Sequence, residues 1–195
     1  MPLSLVRRLI IASLALPLLL GGCAEDEPEP KMPTTRSSTS PTSSPSETTT
    51  APVEPTLPPE AEGKGIKAAE AFVRHYLAVV DYSRLMLDPI HLRKLSAATC
   101  GGCTGLGDLL AEVAKNGGKI TGGDQSLKVV QAEELGLPGD NEAYRATATV
   151  QTTEQTINGS GVDGLDGVRK PETIRYGFVL LRDGSTWQVS EWDVL

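Results

Sequence analysis

Residues 24–59 read AEDEPEPKMPTTRSSTSPTSSPSETTTAPVEPTLPP, a run of 36 residues of which 9 are proline and 14 are serine or threonine. Too few aliphatic side chains are present to offset the entropy of ordering such a segment. It reads as a disordered tether with polyproline character. Folding is therefore confined to residues 60–195. Those 136 residues suffice for one domain with a hydrophobic core, but not for a two-lobed solute-binding protein. There is no internal repeat. Extended, the tether would reach roughly 110 Å, and as a flexible coil about 35 Å.

The tether has something to hang from. The chain opens MPLSLVRR, with Arg7 and Arg8 as a positive flank, and continues with the apolar run LIIASLALPLLL. That run falls short of the roughly 20 residues a membrane helix needs and fits the core of a secretory signal peptide over residues 1–22. Leu20-Gly21-Gly22-Cys23 resembles the lipobox of bacterial lipoproteins. The resemblance implies a diacylglycerol on the Cys23 sulfur, which becomes the first residue after cleavage, and a place on the extracytoplasmic face of the cell membrane. Cleavage removes two of the 18 basic residues and none of the 25 acidic ones, leaving a net charge of −9. Such a balance argues against nucleic acid as a partner and against electrostatic docking on anionic lipid. The membrane is thus a partner through lipidated Cys23 alone.

Within the domain, Ile66, Ala69, Val73, Tyr76, Leu77 and Val80 recur at helical spacing and predict one helix from Glu60 to Tyr82. Asp88-Pro89 opens a short second helix through Leu95. A third begins near Cys103, carries Leu106, Leu109, Leu110 and Val113, and stops at Asn116-Gly117-Gly118. The period then changes. LKVVQAEE, YRATATVQTTEQTI, TIRYGFVLL and TWQVSEWDVL read as strands, with Arg182-Asp183-Gly184-Ser185 as a tight turn between the last two. NGSGVDGLDGVRK reads as a flexible excursion. Helices followed by antiparallel strands give an α+β class: three N-terminal helices packed on one face of a curved sheet of about four strands.

Two resemblances follow from these segments. EAFVRHYLAVVDYS, LRKLSAATCGGC, NGGKITGG and the closing WQVSEWDV resemble an uncharacterised family of actinomycete lipoproteins over nearly the whole of residues 58–195. No activity comes with that likeness. The element order is similar to that of nuclear-transport-factor-2-like domains, which implies a cone-like sheet. The sequence departs from that pattern in having no clear strand between its second and third helices. Such cones host isomerases, dehydratases and non-catalytic modules alike, so the fold would not settle function.

Cys100-Gly101-Gly102-Cys103 is the most chemical stretch of the domain. A Cys-x-x-Cys at a helix start can carry a lowered thiolate pKa, but a thioredoxin-like site needs a strand before it and a βαβ unit after. A zinc site would need His75, His91, Cys100 and Cys103 together. Exported thiols are oxidised, so the pair is expected to be a local disulfide that fixes the turn into the third helix. A cone-type enzyme would need an acid or base in a cavity. Tyr76, Tyr144, Tyr176 and Trp187 lie on core-facing phases and are the candidate cavity residues, with Glu191 or Asp193 facing inward if the last strand keeps its register. Asp163 and Asp166 share a glycine-rich loop without calcium-loop spacing, and Asn158-Gly159-Ser160 matches a glycosylation triplet. No Ser-His-Asp spacing, phosphate-cradling loop or nucleic-acid motif is present, so neither cofactor nor metal is expected. The expectation is a membrane-anchored lipoprotein whose non-catalytic domain binds a small ligand or an envelope protein. The alternatives are a cone-type isomerase or dehydratase and a thiol–disulfide redox protein.

Overall fold

The computed structural model describes residues 52–136 and 142–195. The expected signal peptide, Cys23 and most of the expected tether lie outside the described residues. Within them the order is α1 (Pro59–Glu62), α2 (Ile66–Met86), α3 (Ile90–Lys94), α4 (Gly101–Lys115), β1 (Lys119–Gly122), β2 (Gln125–Leu135), β3 (Glu142–Thr152), β4 (Gln155–Asn158), β5 (Gly167–Arg169), β6 (Thr173–Asp183) and β7 (Thr186–Val194). The class is α+β with two antiparallel sheets, β2-β3-β6-β7 and β1-β4-β5.

Four helices stand where three are expected, because the first is broken. α1 ends at Glu62 with Gly63 in extended backbone, and Gly65, at φ +86, is the N-cap residue from which α2 starts anew. α1 is then pinned from the sheet: Trp187 Nε1 donates to Ala61 O at 2.7 Å, and Arg182 Nη2 donates to Glu62 O at 3.0 Å. The short α3 starts one residue later than expected, with Pro89 rather than Asp88 as its N-cap residue, and Asp88 Oδ1 accepts from the Ile90 amide at 2.9 Å. Ahead of α1, residues 52–58 form neither helix nor strand, and Glu54 Oε1 lies 2.6 Å from His91 Nδ1.

α2 lies on one face of the four-stranded sheet. Its Phe72, Val73, Tyr76 and Val80 pack with Tyr144, Ala146, Ala148 and Val150 of β3 and with Tyr176, Phe178 and Leu180 of β6. The period-2 alternation read in β3 and β6 is therefore the observed inside–outside alternation. A smaller core joins Leu110 and Val113 of α4 to Ile120 of β1 and Ile157 of β4.

The two sheets are joined through a bend. β1 pairs with β4 and β2 with β3, so one long hairpin crosses from sheet to sheet. At the crossing, Gly123 N donates to Glu154 O and Thr153 N to Asp124 O. YRATATVQTTEQTI, read as one strand, is thus β3 and β4 separated by Thr153-Glu154. β5 pairs with β4 inside the segment expected to be a flexible excursion.

Between α3 and α4 the chain makes one parallel bridge, Ser96 to Val189, flanked by Val189 N to Leu95 O and Ala97 N to Val189 O, each 2.8 Å. This short contact covers the edge of β7. Among the described residues no helix is long and apolar enough to cross a membrane.

Candidate functional site

The apolar stripe of α2 runs Val73, Leu77, Val80, and its next step is a charge. Arg84 sits one turn beyond Val80 and is 6% exposed. A buried guanidinium must find partners. Nη2 donates to Asp81 Oδ1 one turn back at 3.2 Å, and Nη1 donates to Gly122 O at the bend. Gly122 and Gly123 have φ of +65 and +73, and a Cβ on Gly123 would stand 2.7 Å from Arg84 Nη1. The bend is glycine because the backbone turns there and because Arg84 needs the space.

Around Arg84 lies a cavity of ≈ 140 Å³, bordered by Gly123, Gln125, Gln155, Arg169 and Tyr176 among others. Arg169, at the end of β5, is anchored by Nη2 donating to Leu165 O at 3.0 Å. A neighbouring hollow of ≈ 320 Å³ shares Gln125 and takes in Asp81, Arg74 and Leu127. Five buried side-chain polar atoms lack a partner among the described residues, and three of them, Arg84 Nε, Gln125 Oε1 and Arg169 Nη1, belong to residues that border this cavity, although the atoms themselves are covered.

Burial lifts the Asp81 carboxyl to about 6. The Arg84 charge and hydrogen bond and a hydrogen bond with the Gln125 backbone pull the other way, while the Asp124 charge adds to the rise. The Tyr176 phenol is likewise raised, first by burial and then by Glu172 and Asp81. The folded state thus binds a proton at Asp81 more readily than the unfolded chain, whose ordinary value is 3.8. Stability from this group is complete below about pH 4 and lost as pH rises through 6. Urea denaturation between pH 4 and 7 is expected to show the native chain losing about 1–2 kcal/mol relative to Asp81→Asn, after allowance for partial solvent contact. A pH-independent difference would show that Asp81 titrates normally.

Of the four aromatic residues expected at a cavity, Tyr176 borders this one. Tyr76, Tyr144 and Trp187 are packed side chains instead. Trp187 stacks on Phe72 at 5.4 Å between centroids and meets Tyr144 at 5.5 Å, while Tyr76 meets Phe178 and Trp192 edge-on. Glu191 and Asp193 face outward. Val179 pairs with Glu191 but Leu180 with Val189, so Ser190 is an extra residue whose bulge reverses the inside–outside phase. Trp192 is thereby brought to the core beside Tyr176 and Phe178.

Cys100 and Cys103 form a disulfide, with both residues at most 1% exposed. Cys100 Sγ also accepts the Cys103 amide at the start of α4. His75 and His91 are elsewhere, against residues 52–58; burial lowers the His75 imidazole, opposed by a hydrogen bond with the Thr56 backbone. In the loop before β5, Asp166 accepts the Gly159 and Ser160 amides at 2.9 Å each, and the Ser160 side chain together with these amides holds its carboxyl below the usual range. Asp163 is exposed, and Ser160 of the glycosylation triplet is buried.

Asp81 and Arg84 are absent from the sequence-based candidates. An acid and a base three apart on a helix ordinarily read as a solvated pair. The available signal was phase, since Arg84 continues the Val73–Leu77–Val80 stripe. No family model and no curated protein matches the chain. Among solved structures it is similar to the crystal structure of the intermembrane space region of chloroplast protein ARC6, at 16% identity and a TM-score of 0.45, over 68% of this chain and 98% of that one.

Proposed function

We propose that this chain is an extracytoplasmic lipoprotein of the uncharacterised actinomycete family it resembles, anchored by lipidated Cys23, and that its domain binds a small ligand at the bend of a cone-like sheet without transforming it. The reading is supported by one observation above the rest: the buried, ion-paired Arg84 borders a cavity at the bend together with Gln125, Arg169 and Tyr176. Two or more acyl chains at Cys23 would hold the protein stably on the bilayer, and the Pro/Ser/Thr-rich tether would let the domain sample the layer above it.

An enzymatic reading is favoured by Asp81, a carboxyl near 6 in the electrostatic reach of Tyr176. Against it, Asp81 is already tied to Arg84 and to the Gln125 amide. A carboxylate so engaged positions its neighbours more readily than it removes protons from a substrate. Thiol–disulfide exchange is opposed by the burial of both sulfurs, since attack requires access.

Two measurements test the proposal. Expressed at full length in an actinomycete host, the chain is expected to incorporate labelled palmitate and sediment with membranes, while Cys23→Ser loses both; a Cys23→Ser chain that stays labelled and membrane-bound would end the anchoring claim. A fragment screen by ligand-observed NMR on the mature chain in detergent is expected to give hits recovered chemically unchanged. Conversion of a hit that disappears with Asp81→Asn would establish the enzyme instead.

A further inference from the structure

We infer that the hollow between α2 and β2 binds a short, extended peptide of small apolar residues, its C-terminal carboxylate on Arg74 and its N-terminal ammonium on Asp81. The inference goes beyond the reading above, because this hollow shares only Gln125 with the cavity at the bend.

The charges set the two ends. Arg74 is exposed and joins none of the ion pairs among the described residues. Its guanidinium is therefore open to a carboxylate, which it can hold with two parallel hydrogen bonds. Asp81 borders the same hollow, with its side chain 25% exposed. Its Oδ1 accepts from Arg84 Nη2, and the Gln125 amide also donates to the carboxylate. A carboxylate has about four acceptor positions, so an ammonium can still be seated there. From Arg74 to Asp81 the helix makes just under two turns, which puts both on one face and about 10 Å apart along α2. An extended tripeptide spans about the same length. A peptide of that size meets both charges at once, with the opposite sign at each of its own ends.

Between the charges the lining is apolar and within reach. Ala78 is exposed and Leu127 half-buried, beside the buried Leu77. The hollow measures ≈ 320 Å³. A cavity of about 150 Å³ holds benzene, so the occupant has on the order of a dozen non-hydrogen atoms, which suits a peptide of two or three small residues. β2 is an edge of its sheet, and among the described residues no strand pairs along its free side. Extended peptides are held at such edges by main-chain hydrogen bonds, a contact that an aliphatic acid of equal length lacks.

The test is an NMR titration of the mature chain in detergent, observing the Ala78 methyl and Arg74 Nε–H resonances. The probes are L-Ala-L-Ala-L-Ala, its N-acetyl form, its C-terminal amide and hexanoate. Trialanine is expected to shift both resonances saturably at pH 7.5, with the other three at least tenfold weaker. Arg74→Gln is expected to weaken trialanine at least tenfold and to bring it level with its amide. Asp81→Asn is expected to bring trialanine level with its N-acetyl form. Equal binding of the amide or the N-acetyl peptide to the unsubstituted chain would overturn the charge assignment. Equal binding of hexanoate would overturn the peptide in favour of an aliphatic acid. If trialanine moved Thr152 and Thr153 at the bend and left Ala78 unmoved, the hollow would lose its role while the ligand-binding reading would stand. If no probe moved Ala78 or Arg74, the inference would fall. The titrations on the unsubstituted chain decide this even where a variant folds poorly.

Discussion

Gly102→Ala is expected to destabilise the domain by about 3 kcal/mol, a fall of roughly 10 °C in Tm, while Gly101→Ala is neutral or stabilising by about 0.5 kcal/mol. The two glycines share one motif and one helical turn, and they differ in what faces them. A Cβ on Gly102 would overlap the Trp192 carbonyl oxygen of β7, whereas a Cβ on Gly101 meets nothing within 4 Å. The overlap is with backbone, so relief means separating the first turn of α4 from β7. β7 cannot shift freely there, because Trp192 packs against Tyr76, Tyr176 and Phe178. At Gly101, in the first turn of α4, alanine only reduces the freedom of the unfolded chain. Chemical denaturation of the two variants beside the native chain checks this. Equal effects at the two positions would mean that the glycines serve the cysteine ring rather than the helix–strand contact. Replacing both cysteines by alanine is expected to cost less, about 2 kcal/mol, since so short a loop removes little entropy from the unfolded chain.

This contrast explains which parts of the molecule could be read beforehand. Strands β3 and β6 were legible because Tyr144, Ala146, Ala148 and Val150, and Tyr176, Phe178 and Leu180, alternate against polar residues over one buried face. The disulfide was legible from the three-residue spacing of Cys100 and Cys103 together with the expected compartment. The phase of β7 was not, because the bulge at Ser190 has no signature of its own and depends on pairing with β6. The break after β3 was equally hidden: Thr153-Glu154 looks like strand, and its bend is imposed by Gly122-Gly123 across the hairpin. β1 and β5 are short and take their strand character from β4 between them. The candidate site suffers most from this. It is made where Arg84 meets Gly122, 38 residues away, and neither a helix periodicity nor a turn signal carries that distance.

Arg84→Met is expected to cost about 3 kcal/mol at pH 7.5, comparable with the loss at Gly102, and distinctly less at pH 5. Methionine keeps most of the side chain's volume, so the loss is electrostatic. It leaves the Gly122 carbonyl without its guanidinium donor and Asp81 without its counter-charge. Removing one member of a buried pair costs more than the pair itself contributes, because the remaining charge stays desolvated. Here the remaining charge has an escape. Asp81 already stands near 6 with Arg84 opposing the rise; without Arg84 its carboxyl moves higher still and takes up a proton. A group whose folded value lies above its unfolded one contributes stability that is present below the unfolded value and lost as pH rises through the folded value. The variant is therefore closest to the native chain at low pH and falls away from it between about pH 5 and 8. Asp81→Asn combined with Arg84→Met removes the stranded charge and is expected to recover part of the loss at pH 7.5 and to flatten the pH dependence. Urea denaturation of the single and double variants across that range measures both effects. An Arg84→Met loss independent of pH, with no recovery in the double variant, would mean that Arg84 acts only by packing and by its bond to Gly122 O, leaving the Asp81–Arg84 pair without a role in the cavity.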